Sequence, residues 1–94
     1  MIADRWTYNV KDGCWQELAD LFKAEAKRSR PFRIYSCEFG TRGRMVAEVE
    51  FEDMTAMVQF WTEWWKDPES TKFVEELGTL TVGNSTRELW GMIE

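Results

Sequence analysis

The sequence predicts a single α+β domain with elements in the order β-α-β-β-α-β. Three observations carry that expectation. Two segments alternate apolar and polar residues with period two on either side of a glycine-containing turn, two others repeat apolar residues at helical spacing, and Gly or Pro punctuates the boundaries. Ninety-four residues leave room for one core, in which six tryptophans, two tyrosines and six phenylalanines are the bulky components.

The first strand is read in RWTYNVK, residues 5–11, where Trp6, Tyr8 and Val10 alternate with Thr7, Asn9 and Lys11. Asp12-Gly13 marks a turn. Trp15, Leu18, Ala19, Phe22 and Ala26 then fall on one stripe of a helix, with Glu17, Asp20, Lys23 and Lys27 facing away. Pro31 stops this helix by pushing the residue before it out of the α region. Lys27, Arg28 and Arg30 lie in or just past its last turn, where cations complement the helix dipole.

Two strands follow. FRIYSCEF is expected to place Tyr35, Cys37 and Phe39 on the helix side and Ile34, Ser36 and Glu38 on the open side. RMVAEVEF turns Met45, Ala47, Val49 and Phe51 toward the helices and Arg44, Val46, Glu48 and Glu50 away, with GTRG (40–43) as the hairpin turn. Asp53 caps the next helix, whose stripe is read as Met54, Met57, Val58, Trp61 and Trp65. Trp61 and Trp65 are thereby expected in the core. Trp64 and Phe60 fall on a flank, lining a groove or meeting a partner chain. Asp67-Pro68 restarts a second helical piece with Phe73, Val74 and Leu77 inside. A last strand, TRELWGMIE, is apolar on both sides, with Trp90 and Met92 on the open face.

This order is the split βαβ, or ferredoxin-like, arrangement: a four-stranded antiparallel sheet with two helices on one face. The other face carries Ile34, Val46, Trp90 and Met92 among charges and is expected to be covered by a second copy of the chain.

Composition narrows function by exclusion. A formal charge of −5 disfavours nucleic acid and anionic membranes as partners. The absence of histidine removes Ser-His-Asp and Cys-His catalysis, His-ligated haem and His-containing zinc sites. Cys14 and Cys37 match no metal-ligand spacing. No leader, membrane span or lipidation motif is read, so the expected compartment is the cytoplasm, and no cofactor is expected. RNA-recognition motifs share the topology, but the base-stacking positions of their third strand are occupied here by Val46 and Glu48. Glu48 and Glu50 share a face at the spacing of a paired-carboxylate site, although a solvated or interface pair is the commoner arrangement.

The run AEVEFEDMTAMVQFWTEWWKDPESTKFVEEL (47–77) and the closing RELW (87–90) resemble small proteins of the dimeric α/β barrel superfamily, of the NIPSNAP-like and antibiotic-biosynthesis-monooxygenase (ABM) type. The resemblance implies a homodimer with sheets face to face and a ligand cavity between helices and sheet in each subunit, walled by Trp6, Tyr8, Tyr35, Trp61 and Trp64. It implies a binding protein for a small aromatic or hydrophobic compound, or a cofactor-free monooxygenase. A structural or regulatory dimer without chemistry is the alternative. Haem-degrading relatives use a histidine ligand and a first-strand asparagine facing the haem. This chain has no histidine and presents Trp6, Tyr8 and Val10 there.

Overall fold

The computed structural model describes residues 1–93. Strand β1 (Ile2–Asn9) is followed by helix α1 (Trp15–Arg28), strands β2 (Arg33–Ser36) and β3 (Arg44–Phe51), helices α2 (Met54–Trp64) and α3 (Pro68–Leu80), and strand β4 (Thr86–Gly91). The four strands form one antiparallel sheet in the order β2-β3-β1-β4, the ferredoxin-like arrangement. The second helix of the motif is in two pieces. Asp53 caps α2 by accepting from the amide of Ala56, and Asp67 caps α3 by accepting from that of Glu69, with Pro68 in the first turn. Gly13 has φ +80°, which lets the Asp12-Gly13 turn deliver the chain into α1.

All three helices cover one face of the sheet. Tyr8 and Val10 from β1 and Met45 and Ala47 from β3 pack on Leu18, Ala19 and Phe22 of α1 and Leu80 of α3. A second cluster joins Val49 and Phe51 to Met57 of α2. Register fixes the faces, because directly opposed residues share a side. Trp6 lies opposite Ala47 and Arg87, and Asp4 opposite Val49 and Leu89, all on the helix side.

Two expectations are corrected. Strand β2 is four residues long, and Ile34 is paired with Ala47 while Tyr35 is paired with Val46. Ile34 therefore faces the helices, and Tyr35 lies on the open face, 42% exposed. Residues 37–43 are an irregular connection rather than strand ends around a tight turn. Helix α2 is also rotated from the expected stripe. Met57, Phe60, Trp61 and Trp64 point inward, and Met54, Val58 and Trp65 are exposed, Trp65 by 56%. The helix is apolar nearly all round, so the sheet rather than the period selects its buried side. Among the described residues no helix is long and apolar enough to cross a membrane.

Candidate functional site

Between the helices and the sheet lies a cavity of about 350 Å³. Its floor is Tyr8 of β1 with Ala47 and Val49 of β3. Phe22 of α1, Phe60, Trp61 and Trp64 of α2, and Phe73 and Leu77 of α3 form the walls, and the exposed Ser29, Trp65, Val74 and Ser85 stand at the rim.

The walls are a continuous herringbone of rings. Trp61 meets Phe60 at 4.9 Å and 76° and Trp64 at 5.4 Å and 86°, and Trp64 meets Phe73 at 6.0 Å and 85°. Phe73 then reaches Phe22, and Phe22 reaches Tyr8, at centroid distances of 6.0 and 5.4 Å. Edge-to-face pairs of this kind contribute about 0.5–1.5 kcal/mol each beyond the area they bury. They also fix ring orientation, so the cavity has a defined shape.

Two buried carboxylates hold the indoles. Asp4, fully buried, accepts from Arg87 Nε at 2.8 Å, Arg87 Nη2 at 2.6 Å and Trp61 Nε1 at 3.0 Å. Glu25, buried on α1, accepts from Arg28 Nε and Nη2, each at 2.8 Å, and from Trp64 Nε1 at 2.8 Å. Each carboxylate thus has a bidentate guanidinium and an indole N–H, a geometry that makes burial of charge tolerable. The hydrogen bonds to Glu25 and Asp4 raise the pKa values of Arg28 and Arg87 above the usual arginine value. Arg87 also lies over the Trp6 ring, 4.8 Å from its centroid. With both indole N–H groups spent on carboxylates, Trp61 and Trp64 offer the cavity ring surface only.

Tyr8 differs. It is 9% exposed, and among the described residues its hydroxyl has no hydrogen-bond partner. No fully enclosed side-chain polar atom among the described residues lacks a partner, so the hydroxyl opens onto the cavity. Burial, and then the negative charge of Asp4, push its pKa up, against a smaller lowering by Arg87. The group is a neutral phenol at physiological pH and serves as donor or acceptor, not as a tyrosinate base.

The structure brings Trp6, Tyr8, Trp61 and Trp64 together around the cavity. It does not bring Tyr35, which sits on the opposite face because of the β2 register. Trp65, expected in the core, is at the rim. Asp4, Glu25, Arg30 and Arg87 are site residues that sequence reasoning missed. Among the described residues, Asp, Glu and Cys side chains form no cluster suited to a metal ion. Glu48 and Glu50 lie on the far face, where Glu48 accepts from Arg5 and Glu50 pairs with Arg33.

No protein-family profile and no curated protein matches the chain. Solved structures do. A NIPSNAP family protein from Agrobacterium tumefaciens superposes with a TM-score of 0.84 at 14% identity, over 99% of this chain and 93% of that one. An uncharacterised NIPSNAP domain protein from Burkholderia xenovorans gives 0.81 at 14% identity, over 99% and 95%. A Deinococcus radiodurans protein provisionally assigned as an antibiotic biosynthesis monooxygenase gives 0.76 at 15% identity, over 100% and 94%. At such identities the likeness is one of architecture, and it extends over nearly the full length of both partners: the chain has the fold shared by NIPSNAP and ABM-type proteins.

Proposed function

We propose that this protein is a homodimeric binding protein for a small, flat, largely apolar compound seated in the aromatic cavity, with Tyr8 as the hydrogen-bonding contact at its floor. The observation that carries the reading is the Tyr8 hydroxyl, which belongs to a residue 9% exposed, opens onto the cavity and has no hydrogen-bond partner among the described residues, in a lining made largely of rings. A single polar group that faces into a largely apolar cavity without a protein partner is the kind of group that orients a ligand. The cavity volume, about 350 Å³, is near the small end of ligand sites and suits a one- or two-ring body.

Titration with 1-tetralone and with tetralin, followed by tryptophan fluorescence, tests this. The ketone is expected to bind more tightly than the hydrocarbon, and Tyr8→Phe to erase the difference. If neither compound changes the fluorescence at millimolar concentration, the alternative of a structural dimer without a ligand gains.

Dimerisation belongs to the same reading. The open sheet face exposes Trp90 (52%), Met92 and Tyr35 beside Val46. The Arg5 and Arg33 side chains neutralise Glu48 and Glu50 on that face, which lowers the cost of covering it.

A second reading is cofactor-free oxygenation, suggested by the antibiotic biosynthesis monooxygenases among the proteins that share the fold. With no free carboxylate base, the reactivity would belong to the substrate. In that chemistry an activated ring CH2 is oxidised by O2 to a carbonyl, and the second oxygen atom leaves as water. Oxygen uptake with anthrone beyond the uncatalysed rate would support it, and uptake equal to buffer alone would sink it.

A further inference from the structure

Arg30 is the one charged side chain lining the cavity that has no counter-charge among the described residues. Glu25 is matched by Arg28, and Arg87 by Asp4. Arg30 instead places its guanidinium carbon over Phe51, 4.6 Å from the ring centroid, and 5.8 Å from that of Phe60. Its only hydrogen bond among the described residues runs from Nη2 to the carbonyl oxygen of Glu50, at 2.7 Å. The carboxylate of that same Glu50 is turned to the opposite sheet face, toward Arg33. Two ring contacts and one hydrogen bond hold the guanidinium in place and leave its other N–H groups without a partner among the described residues. A planar, preorganised, unpaired fork is the form in which proteins bind carboxylates.

Position agrees with charge. Arg30 is half-buried, next to the exposed Ser29 of the rim, whereas Tyr8 and Phe22 lie at depth. A molecule filling the cavity with its ring body would bring an end group to Arg30. We infer that the cavity takes an aromatic acid, with the rings among Trp61, Trp64 and Phe73 and the carboxylate paired with Arg30. The inference rests on the ligand-binding reading above and specifies its ligand class.

The test compares 1-naphthoate with its methyl ester, nearly the same shape without the charge, by fluorescence titration and calorimetry on the intact protein. Wild type is expected to bind the acid about tenfold or more tightly than the ester, in keeping with a charge-assisted hydrogen bond, and to lose part of that preference in high salt. Arg30→Gln should abolish the preference while ester affinity holds, and unchanged ester affinity also shows that the cavity is intact. Arg30→Lys should restore only part of it, because an ammonium is a point charge without the fork.

Equal binding of acid and ester to wild type overturns the assignment and leaves the ligand-binding reading standing. An equal loss of both in Arg30→Gln likewise overturns it, since Arg30 would then serve only to pack. Binding of neither compound overturns both. Should Arg30→Gln fail to fold, the wild-type preference and its salt dependence decide the matter.

Discussion

The indole nitrogen of Trp64 lies 2.8 Å from Oε2 of Glu25, a bond that ties α2 to α1 beside the cavity. Glu25 is buried and charged, so the N–H is one of few groups that can satisfy it. Trp64→Phe keeps an aromatic ring and removes that donor. A hydrogen bond to a charged group contributes about 1.5–3 kcal/mol, and the variant is expected to lose about 2 kcal/mol in urea unfolding. A double-mutant cycle with Glu25→Gln should give a coupling of about 1 kcal/mol. Additive single effects would show that the two side chains do not support each other.

Asp4 is the more demanding case. It takes three hydrogen bonds while fully buried, and its removal strands the Trp61 N–H and a partly exposed Arg87. Breaking a buried pair from one side costs about 3–5 kcal/mol, and the partial exposure of Arg87 sets the expectation at the lower end for Asp4→Ala. Asp4→Asn retains one acceptor and should cost less. If both variants melt with wild type, the pair does not organise the core.

Much of this architecture is legible in the sequence, because caps and amphipathic stripes are local signals. Asp53, Asp67-Pro68 and Pro31 mark the helix limits, and Leu18, Ala19 and Phe22 mark the buried side of α1. The face of β2 is not legible. Phe32 and Ile34 alternate as well as Tyr35, Cys37 and Phe39 do, and only the pairing of Ile34 with Ala47 decides between them. In α2, apolar residues surround the helix, so choosing Phe60 and Trp64 over Met54, Val58 and Trp65 requires the sheet. Asp4 and Arg87 are 83 positions apart, and nothing local announces that a charge at the start of β1 will be buried.

Tyr8 makes stability depend on alkaline pH. Its pKa in the folded chain is raised above the ordinary value of 10.0 by burial and by Asp4. The folded state therefore holds the phenolic proton more tightly than the unfolded state does. The contribution is fully present below about pH 10 and is lost as pH rises toward the folded pKa, at up to about 1.4 kcal/mol per pH unit. Wild type should weaken along this slope, measured by the urea midpoint, and Tyr8→Phe should lack this part of the fall. At neutral pH the same substitution should cost less than about 1 kcal/mol, because the hydroxyl has no protein partner to lose. Parallel pH curves for the two proteins would contradict the burial of this group.

Trp90 separates self-association from mere exposure. It lies on the open face opposite Ala3, with the Arg5 guanidinium 5.8 Å from its ring centroid. Large aromatics at the centre of an interface often carry 2 kcal/mol or more of its energy, and Trp90→Glu would add a charge near Glu48 and Glu88, so dimer dissociation should strengthen by roughly 30-fold or more. Light scattering across a dilution series should give wild type twice the chain mass of 11.2 kDa and the variant a single chain mass. Phe39→Ser, at a residue 97% exposed in the β2–β3 connection, should leave the mass unchanged and controls for the loss of any exposed ring. A wild type that is monomeric at every concentration would reject the dimer. Its open face would then be a free surface, and the cavity would have to bind its ligand within one chain.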